Sequence, residues 1–334
     1  MSEPNGTRRW RRGRRGEQPM VPKAEFSSYY GKPILNPPVW EARDIAGYFF
    51  LGGLAGASSL LAAGADLTGR PALSRVAKTG AAAAGALSVV ALVHDLGRPS
   101  RFINMMRVFK VTSPMSVGSW LLGGYVPAAG VAAATGLAGP RLTGRLRWLG
   151  AAATAGAEVA GPAVAAYTAT LVADTSVPAW HDGYPEMPFV FTGSGAMAAG
   201  GLGLLAAPAE EAGPARNLAL LGQVMEMLAF ERMTRRIGMV AEPYHSGRGG
   251  AYIRAGQVLG GIGATGAALS GTPAVPAGRA RRVVAALSGA ALIGASVATR
   301  WGVFHAGMAS ARDPKYTVVP QRQRLTERAA VPER

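Results

Sequence analysis

Six runs of about 20 mainly apolar residues most constrain what this 334-residue chain can fold into. A helix of about 20 residues spans the hydrocarbon core of a bilayer. A soluble helical protein with runs of this length would have no polar face to present to water. Two shorter runs, at 215–230 and 255–270, bring the expected number of spans to eight. The six longer runs are 45–65, 76–93, 117–137, 149–173, 189–207 and 283–304.

These runs predict an all-α integral membrane protein with about eight transmembrane helices arranged as two helical bundles. The first bundle is expected over 45–174 and the second over 188–304. Residues 1–44 are predicted to form a basic arm and a Pro-rich lead-in, and 305–334 an extended polar tail. Small residues four apart, such as Gly52 and Gly56, predict close helix packing within a bundle.

The charged residues favour a membrane protein over a nucleic-acid-binding protein. Only 16% of the residues are charged, against about 25% in soluble domains, yet the net charge is +16. The cations cluster in connectors and at the two ends, and do not interleave with aromatic residues on one face. Because the chain has no Cys, it cannot supply thiolates to a zinc ion or an iron–sulfur cluster. Its four His residues lie in connectors or at span ends, which argues against a haem.

The distribution of Lys and Arg also predicts orientation. With eight spans, the connectors on the side of the termini carry more cations than the connectors opposite. The positive-inside rule then places both termini in the cytoplasm of a multi-pass protein of the cell membrane.

One connector, "HDLGRPSRFINMMRVFKVTSPMSVGSW" at 94–120, is unusually polar and aromatic. We call this segment the hinge. On the same side of the membrane lie the start of the first span and the connector at 174–188, which together contribute carboxylates, imidazoles and aromatic rings. Trp40 and Trp180 are expected to belong to an interfacial aromatic belt.

We call this polar end of the first bundle the mouth. Two kinds of site could use it. A quinone pocket needs hydrogen-bond donors for the carbonyls and a carboxylate or His to exchange protons. A solute or ion pathway would instead place charged residues near the bilayer midplane. There the sequence offers only Glu158 and Glu226, with no facing cation among the longer spans. Glu158 is the candidate for a proton relay.

Three segments resemble the NrfD/PsrC family, the integral membrane subunits of polysulfide-reductase-type molybdoenzymes. They are "YFFLGGLAGASSLLAAGADL" at 48–67, "DLGRPSRFINMMRVFKVTSPMSVGSW" at 95–120 and "HAGMASARDPKYTVVPQR" at 305–322. The combination of Asp-Leu-Gly-Arg-Pro with Ser-Pro-Met-Ser is more specific than any one short pattern. The resemblance extends from about residue 29 to residue 322.

The resemblance implies a membrane anchor without haem or an iron–sulfur cluster of its own, which binds menaquinone or a related quinone. Its partners would be a ferredoxin-like 4Fe-4S subunit and a molybdopterin catalytic subunit. A secondary solute or ion transporter, and a passive anchor without a quinone site, remain the alternatives. The implied quinone-binding residues are Glu41, Asp44, His94, Asp95, Arg98, Ser113 and Ser116.

The hinge is expected to dock the partner through Arg101, Arg107 and Lys110, because the guanidinium groups of the two arginines can bind carboxylates in bidentate fashion. Contact of these cations with anionic lipid head groups is the alternative. Two local contacts are also expected. Asp95 and Arg98 would form an ion pair at near-helical spacing, and Ser116 would be the N-cap of the third span.

Overall fold

A computed structural model describes residues 34–330 except for 97, 99 and 140–142. Throughout this part of the chain the regular secondary structure is helical. The helices are α1 (Ala42–Leu67), α2 (Pro71–Asp95), α3 (Arg101–Met105), α4 (Pro114–Ala138), α5 (Gly144–Ala173), α6 (Pro178–His181), α7 (Met187–Ala206), α8 (Gly213–Ile237), α9 (Glu242–His245), α10 (Gly247–Ser270), α11 (Arg279–Arg312) and α12 (Lys315–Ala330). The predicted basic arm falls almost wholly at 1–33, outside the described residues.

Eight of the described helices have 20 residues or more, and each predicted span coincides with one of them. Five of the eight, α1, α2, α4, α7 and α11, are long and apolar enough to cross a membrane. The all-helical prediction is therefore confirmed. The other three long helices, α5, α8 and α10, are not among these five.

Helix α1 lies at the centre of the molecule. It packs on α2 and α5 on one side and on α7 and α11 on the other. Helix α4 packs against both α2 and α5, while α7 packs against α8 and α11, and α10 packs against α8 and α11. Because α1 and α2 are joined by a short turn at 68–70, they run antiparallel and bring the start of α1 beside the end of α2.

Glycines allow several of these helices to touch through their backbones. A Cβ atom at Gly56 in α1 would collide with the carbonyl oxygen of Gly161 in α5, and one at Gly161 would lie 2.6 Å from the carbonyl oxygen of Gly56. A Cβ at Gly256 in α10 would lie 3.0 Å from Oγ1 of Thr299 in α11. The prediction that the small residues serve packing within the chain is confirmed at these positions.

The prediction of an extended tail over 305–334 is wrong for the described residues. Helix α11 continues to Arg312, and α12 follows from Lys315. The side chain of Asp313 accepts a hydrogen bond from the backbone N–H of Lys315 at 3.0 Å, and Lys315 Nζ lies 2.9 Å from Glu242 Oε2. The helix is thus held by a residue some 70 positions away, which the polar composition of the tail could not reveal.

Candidate functional site

A carboxylate and an imidazole meet where α1 begins and α2 ends. Asp44 Oδ2 lies 2.8 Å from His94 Nδ1. The Asp44 side chain is 11% exposed, whereas that of His94 is 74% exposed. The helix dipoles favour both groups, because a carboxylate lies in the first turn of α1 and an imidazole in the last turn of α2. The pair therefore presents an oriented, solvent-facing imidazole on a shielded carboxylate.

Two further carboxylates lie beside this pair. Asp95 is half-buried and close enough to Glu41, Asp44 and His94 for their charges to act on it. The expected ion pair between Asp95 and Arg98 does not occur among the described residues. Helix α2 ends at Asp95, so Arg98 is not at helical spacing from it and its side chain is exposed.

Two tyrosines lie deeper in the same region. Tyr48, one helical turn beyond Asp44, is 1% exposed, and its ring neighbours Tyr167 of α5. Tyr167 fits there because Gly118 of α4 has no side chain to collide with its ring. Neither tyrosine was singled out as a site residue from the sequence, although both lie on spans that lead to the mouth.

The hinge is an exposed surface that mixes cations with apolar side chains. Its cationic residues, Arg98, Arg101, Arg107 and Lys110, are all exposed, and none makes an ion pair with another described residue. Ile103 is 69% exposed, Val108 66% and Phe109 57%. Unpaired cations interleaved with exposed apolar groups are typical of a surface that another protein covers.

The N-cap of α4 is Ser113 rather than the expected Ser116. Ser113 Oγ accepts a hydrogen bond from the backbone N–H of Ser116 at 3.5 Å, and Pro114 occupies the first helical position. The Ser116 hydroxyl instead accepts from Lys110 N–H at 2.9 Å and donates to the Val108 carbonyl at 2.9 Å. Ser113 and Ser116 therefore fix the hinge to α4. Neither contacts the Asp44–His94 pair among the described hydrogen bonds.

Trp180 does not belong to an interfacial belt, contrary to the expectation. It is completely buried, and its indole N–H donates to the Val303 carbonyl of α11 at 2.8 Å. Its ring stacks on that of Trp40 with 5.7 Å between the centroids. A side chain at Gly307 would collide with the indole. Tryptophans at the membrane interface and tryptophans buried within the protein both occur next to a span, so the sequence could not show which kind Trp180 is.

Glu158 lies in α5 away from the mouth. It is half-buried, and its Oε1 atom has no hydrogen-bond partner. Its neighbours are Asp66 at the end of α1 and Lys78 early in α2, which pair at 2.6 Å. The structure thus brings Asp44, His94 and Asp95 together but puts Glu158 toward the other end of the same helices.

The sequence analysis missed a cation that faces Glu226. Arg300 of α11 is completely buried and close enough to Glu226 of α8 for their charges to interact. Its guanidinium donates to the Phe191 carbonyl at 2.5 Å and covers the Phe191 ring at 3.8 Å. A lone Arg within a long apolar run was the available signal.

A basic pocket of about 460 Å³ was also missed. It adjoins Trp40 and is lined by Arg248 at the start of α10 and by His305 and Arg312 near the end of α11. The His305 ring stacks on that of Tyr252 at 5.5 Å. The pocket lies at the same end of the helices as the Asp44–His94 pair, which makes that end of the molecule strongly basic.

Several long apolar helices, with polar groups and unpaired cations gathered at one end, define a multi-pass membrane protein. The family model described as polysulphide reductase, NrfD, matches residues 35–309. The chain belongs to this family, as its resemblance in three segments predicts. The comparison with curated proteins gave no match.

Proposed function

We propose that this chain is the membrane anchor and quinone-interacting electron-transfer subunit of a molybdopterin oxidoreductase complex. It would pass electrons between a 4Fe-4S subunit and menaquinone or a related quinone. Membership of the NrfD family supports the membrane role in a polysulfide-reductase-type complex. The observation that carries the quinone proposal is the hydrogen bond between Asp44 and the exposed His94.

The proposal includes a membrane arrangement. All eight long helices would cross the cell membrane, with α1, α2, α4 and α5 forming one bundle and α7, α8, α10 and α11 the other. The pairwise contacts of these helices support that grouping. An even number of spans places both termini on one side, and the excess of Lys and Arg on that side favours the cytoplasm.

The residues at the mouth fit the needs of a quinone head group. A quinone accepts and releases electrons and protons at its two carbonyl oxygens. Asp44 accepts a hydrogen bond from Nδ1–H of His94, which fixes the tautomer and the ring orientation. Nε2 can then take up a proton, and the resulting imidazolium can donate a hydrogen bond to a quinone carbonyl. Asp95 and Glu41 add carboxylates that can exchange protons with water. Arg98, Ser113 and Ser116 remain proposed contacts of the same site.

Glu158 would serve as a relay for protons across the same helices. Several hydroxyl groups lie on the helices between its level and the mouth. The Ser59 and Tyr125 hydroxyls lie 2.8 Å apart, and those of Ser88 and Thr168 are buried without a partner. Buried unpaired hydroxyls are typical of places where water molecules bridge polar groups.

The hinge would dock the iron–sulfur subunit. Arg101, Arg107 and Lys110 are exposed cations that suit carboxylates on an acidic partner. Ile103 and Phe109 are also exposed and add apolar area beside these cations. Apolar area of this kind suits contact with a protein, whereas contact with lipid head groups would need only the cations. Docking here would bring the partner's cluster close to the Asp44–His94 pair.

The proposal is tested in membranes that contain the whole complex. We expect His94→Gln and Asp44→Asn each to lower quinone-linked turnover at least about tenfold, because general acid–base groups contribute about 10²–10⁴-fold. Dye-linked activity of the catalytic subunit should stay unchanged, and the iron–sulfur subunit should still co-purify.

Arg107→Gln is the matched control on the hinge. It should weaken co-purification at low salt and make the remaining docking less sensitive to added salt, because one ionic contact that salt would screen is gone. The complex that remains should turn quinone over normally. Normal quinone-linked turnover in both His94→Gln and Asp44→Asn would refute the site. A passive anchor would retain tight docking but bind no quinone analogue.

A further inference from the structure

The second group of long helices contains a buried carboxyl group that the proposed quinone site does not use. Glu226 Oε1 accepts a hydrogen bond from the Thr299 hydroxyl at 2.7 Å. Its other oxygen, Oε2, has no accessible surface and no hydrogen-bond partner. A buried ionised carboxylate with an unpaired oxygen is costly, whereas a protonated carboxyl group carries no charge and costs less to bury.

The facing cation does not neutralise Glu226 by direct contact. Arg300 acts on it through its charge, but the described ion pairs contain no contact between them within 4.0 Å. Nε and Nη1 of Arg300 are also buried without partners. Among the described residues, Arg300 is the one charged group that faces Glu226, because α7 contributes Ser194 and α10 contributes only uncharged side chains. Burial favours the protonated form of Glu226, whereas the charge of Arg300 favours the ionised form, so the two effects act in opposite directions.

Glu226 lines a cavity of about 230 Å³. Gln223 and Glu226 of α8, Gln257 of α10 and Thr299 of α11 supply its polar lining. That volume exceeds the space of several water molecules. Gln223 Oε1 is buried without a partner, so the cavity holds a second unsatisfied acceptor next to the carboxyl group.

The two helices that contribute most of the cavity lining, α8 and α10, also have an apolar outer surface. Large hydrophobic side chains on both helices are exposed, as expected where lipid and not water covers them. They are Leu221 at 64%, Val224 at 48%, Met227 at 54%, Leu228 at 61%, Val258 at 60% and Ile262 at 62% exposed.

We propose that Glu226 is a proton-binding carboxyl group, opposed by Arg300, that is reached from the lipid-facing surface between α8 and α10. The site is separate from the proposed quinone site and does not depend on it. Its ligand is a proton. The same geometry makes Glu226 a modification site for apolar reagents that attack protonated carboxyl groups.

Carbodiimides test this directly in the full-length protein. The acid proton moves to a carbodiimide nitrogen, a carboxyl oxygen bonds to the central carbon, and the adduct rearranges to an N-acylurea. No atom leaves and no electrons are transferred. We expect N,N′-dicyclohexylcarbodiimide to label Glu226, with labelling that rises as the pH falls, whereas a charged water-soluble carbodiimide should leave it unlabelled. Peptide mass mapping gives the readout.

Two variants sharpen the test. Thr299→Val removes the hydroxyl that stabilises the carboxylate, so labelling should persist to higher pH than in the wild type. Glu231→Gln, at an exposed ion pair on the same helix, should leave labelling of Glu226 unchanged. Absence of the label at Glu226 in the folded wild-type protein, or equal labelling by both reagents, overturns the proposal.

Discussion

At the scale of single residues, the Glu186 carboxylate joins two helices through the guanidinium groups of Arg236 and, at 3.4 Å, Arg232. It precedes α7, is 5% exposed, and accepts hydrogen bonds from Arg236 of α8 at 2.9 and 2.7 Å. These hydrogen bonds hold the pKa of Glu186 below its ordinary value. A carboxyl group whose pKa is lower in the folded protein adds stability above its unfolded pKa, and this is lost as the pH falls through the folded value.

We therefore expect Glu186→Gln to lower the free energy of unfolding near neutral pH by about 1–2 kcal/mol, since Arg236 is itself partly exposed. The variant should also lose less stability than the wild type when the pH drops below about 4, the range in which an unfolded Glu titrates. Thermal unfolding in detergent across pH 3–7 measures both. Glu231→Gln, which breaks the exposed pair with Arg235, should change stability by less than about 0.5 kcal/mol. A Glu186→Gln protein as stable as wild type, with the same acid sensitivity, would contradict the account.

At the scale of elements, the crossing of α1 and α5 depends on a backbone contact at Gly56. We expect Gly56→Leu to destabilise the protein by about 1–3 kcal/mol or more, because the new side chain meets the α5 backbone and has no room to move. Gly64→Leu is the control on the same helix, since a Cβ there meets no atom within 4 Å. Thermal unfolding of the two variants gives the comparison. Equal stabilities of the two variants would contradict this expectation, because they would mean that α1 and α5 can move apart at no cost in stability.

The existence of the long helices was predictable because it rests on local composition. The eight apolar runs need only their own residues to form helices, and all eight do. The partners of particular side chains were not predictable in the same way. Trp180 finds Val303, Lys315 finds Glu242 and Arg300 finds Phe191, and each of these pairs is more than 70 positions apart in the sequence.

In the candidate site, too, the positions of the helix ends were predictable, but the partners of particular side chains were not. The sequence identified the mouth because Asp44 and His94 occur at span ends that the antiparallel turn between α1 and α2 must bring together. It predicted the wrong partner for Asp95 because α2 ends there, so Arg98 does not lie one turn further along the same helix. The choice of Ser113 over Ser116 as the cap depends on the path of the hinge, which the residue types alone do not determine.

At the scale of the whole molecule, the side of the membrane on which each connector lies distinguishes an arrangement of eight spans from one of five. The chain has no Cys, so single cysteines can be introduced and labelled with an impermeant maleimide in intact cells. If α5, α8 and α10 cross the membrane, Asn104→Cys and Ser246→Cys should be protected and Thr272→Cys labelled. If only the five most apolar helices cross, residues 246 and 272 would lie on the same side. Labelling of both or of neither would refute the eight-span arrangement.

The buried indole of Trp180 also sets an order for biosynthesis. Its acceptor carbonyl, at Val303, is 123 residues further along the chain. At about 5–20 residues per second, synthesis needs roughly 6–25 s to cover that distance. During this interval α1 to α7 can already be inserted while the indole has neither its acceptor nor the notch at Gly307 that receives it. The half-made protein therefore exposes an aromatic surface beside the mouth that only the last long helix can cover.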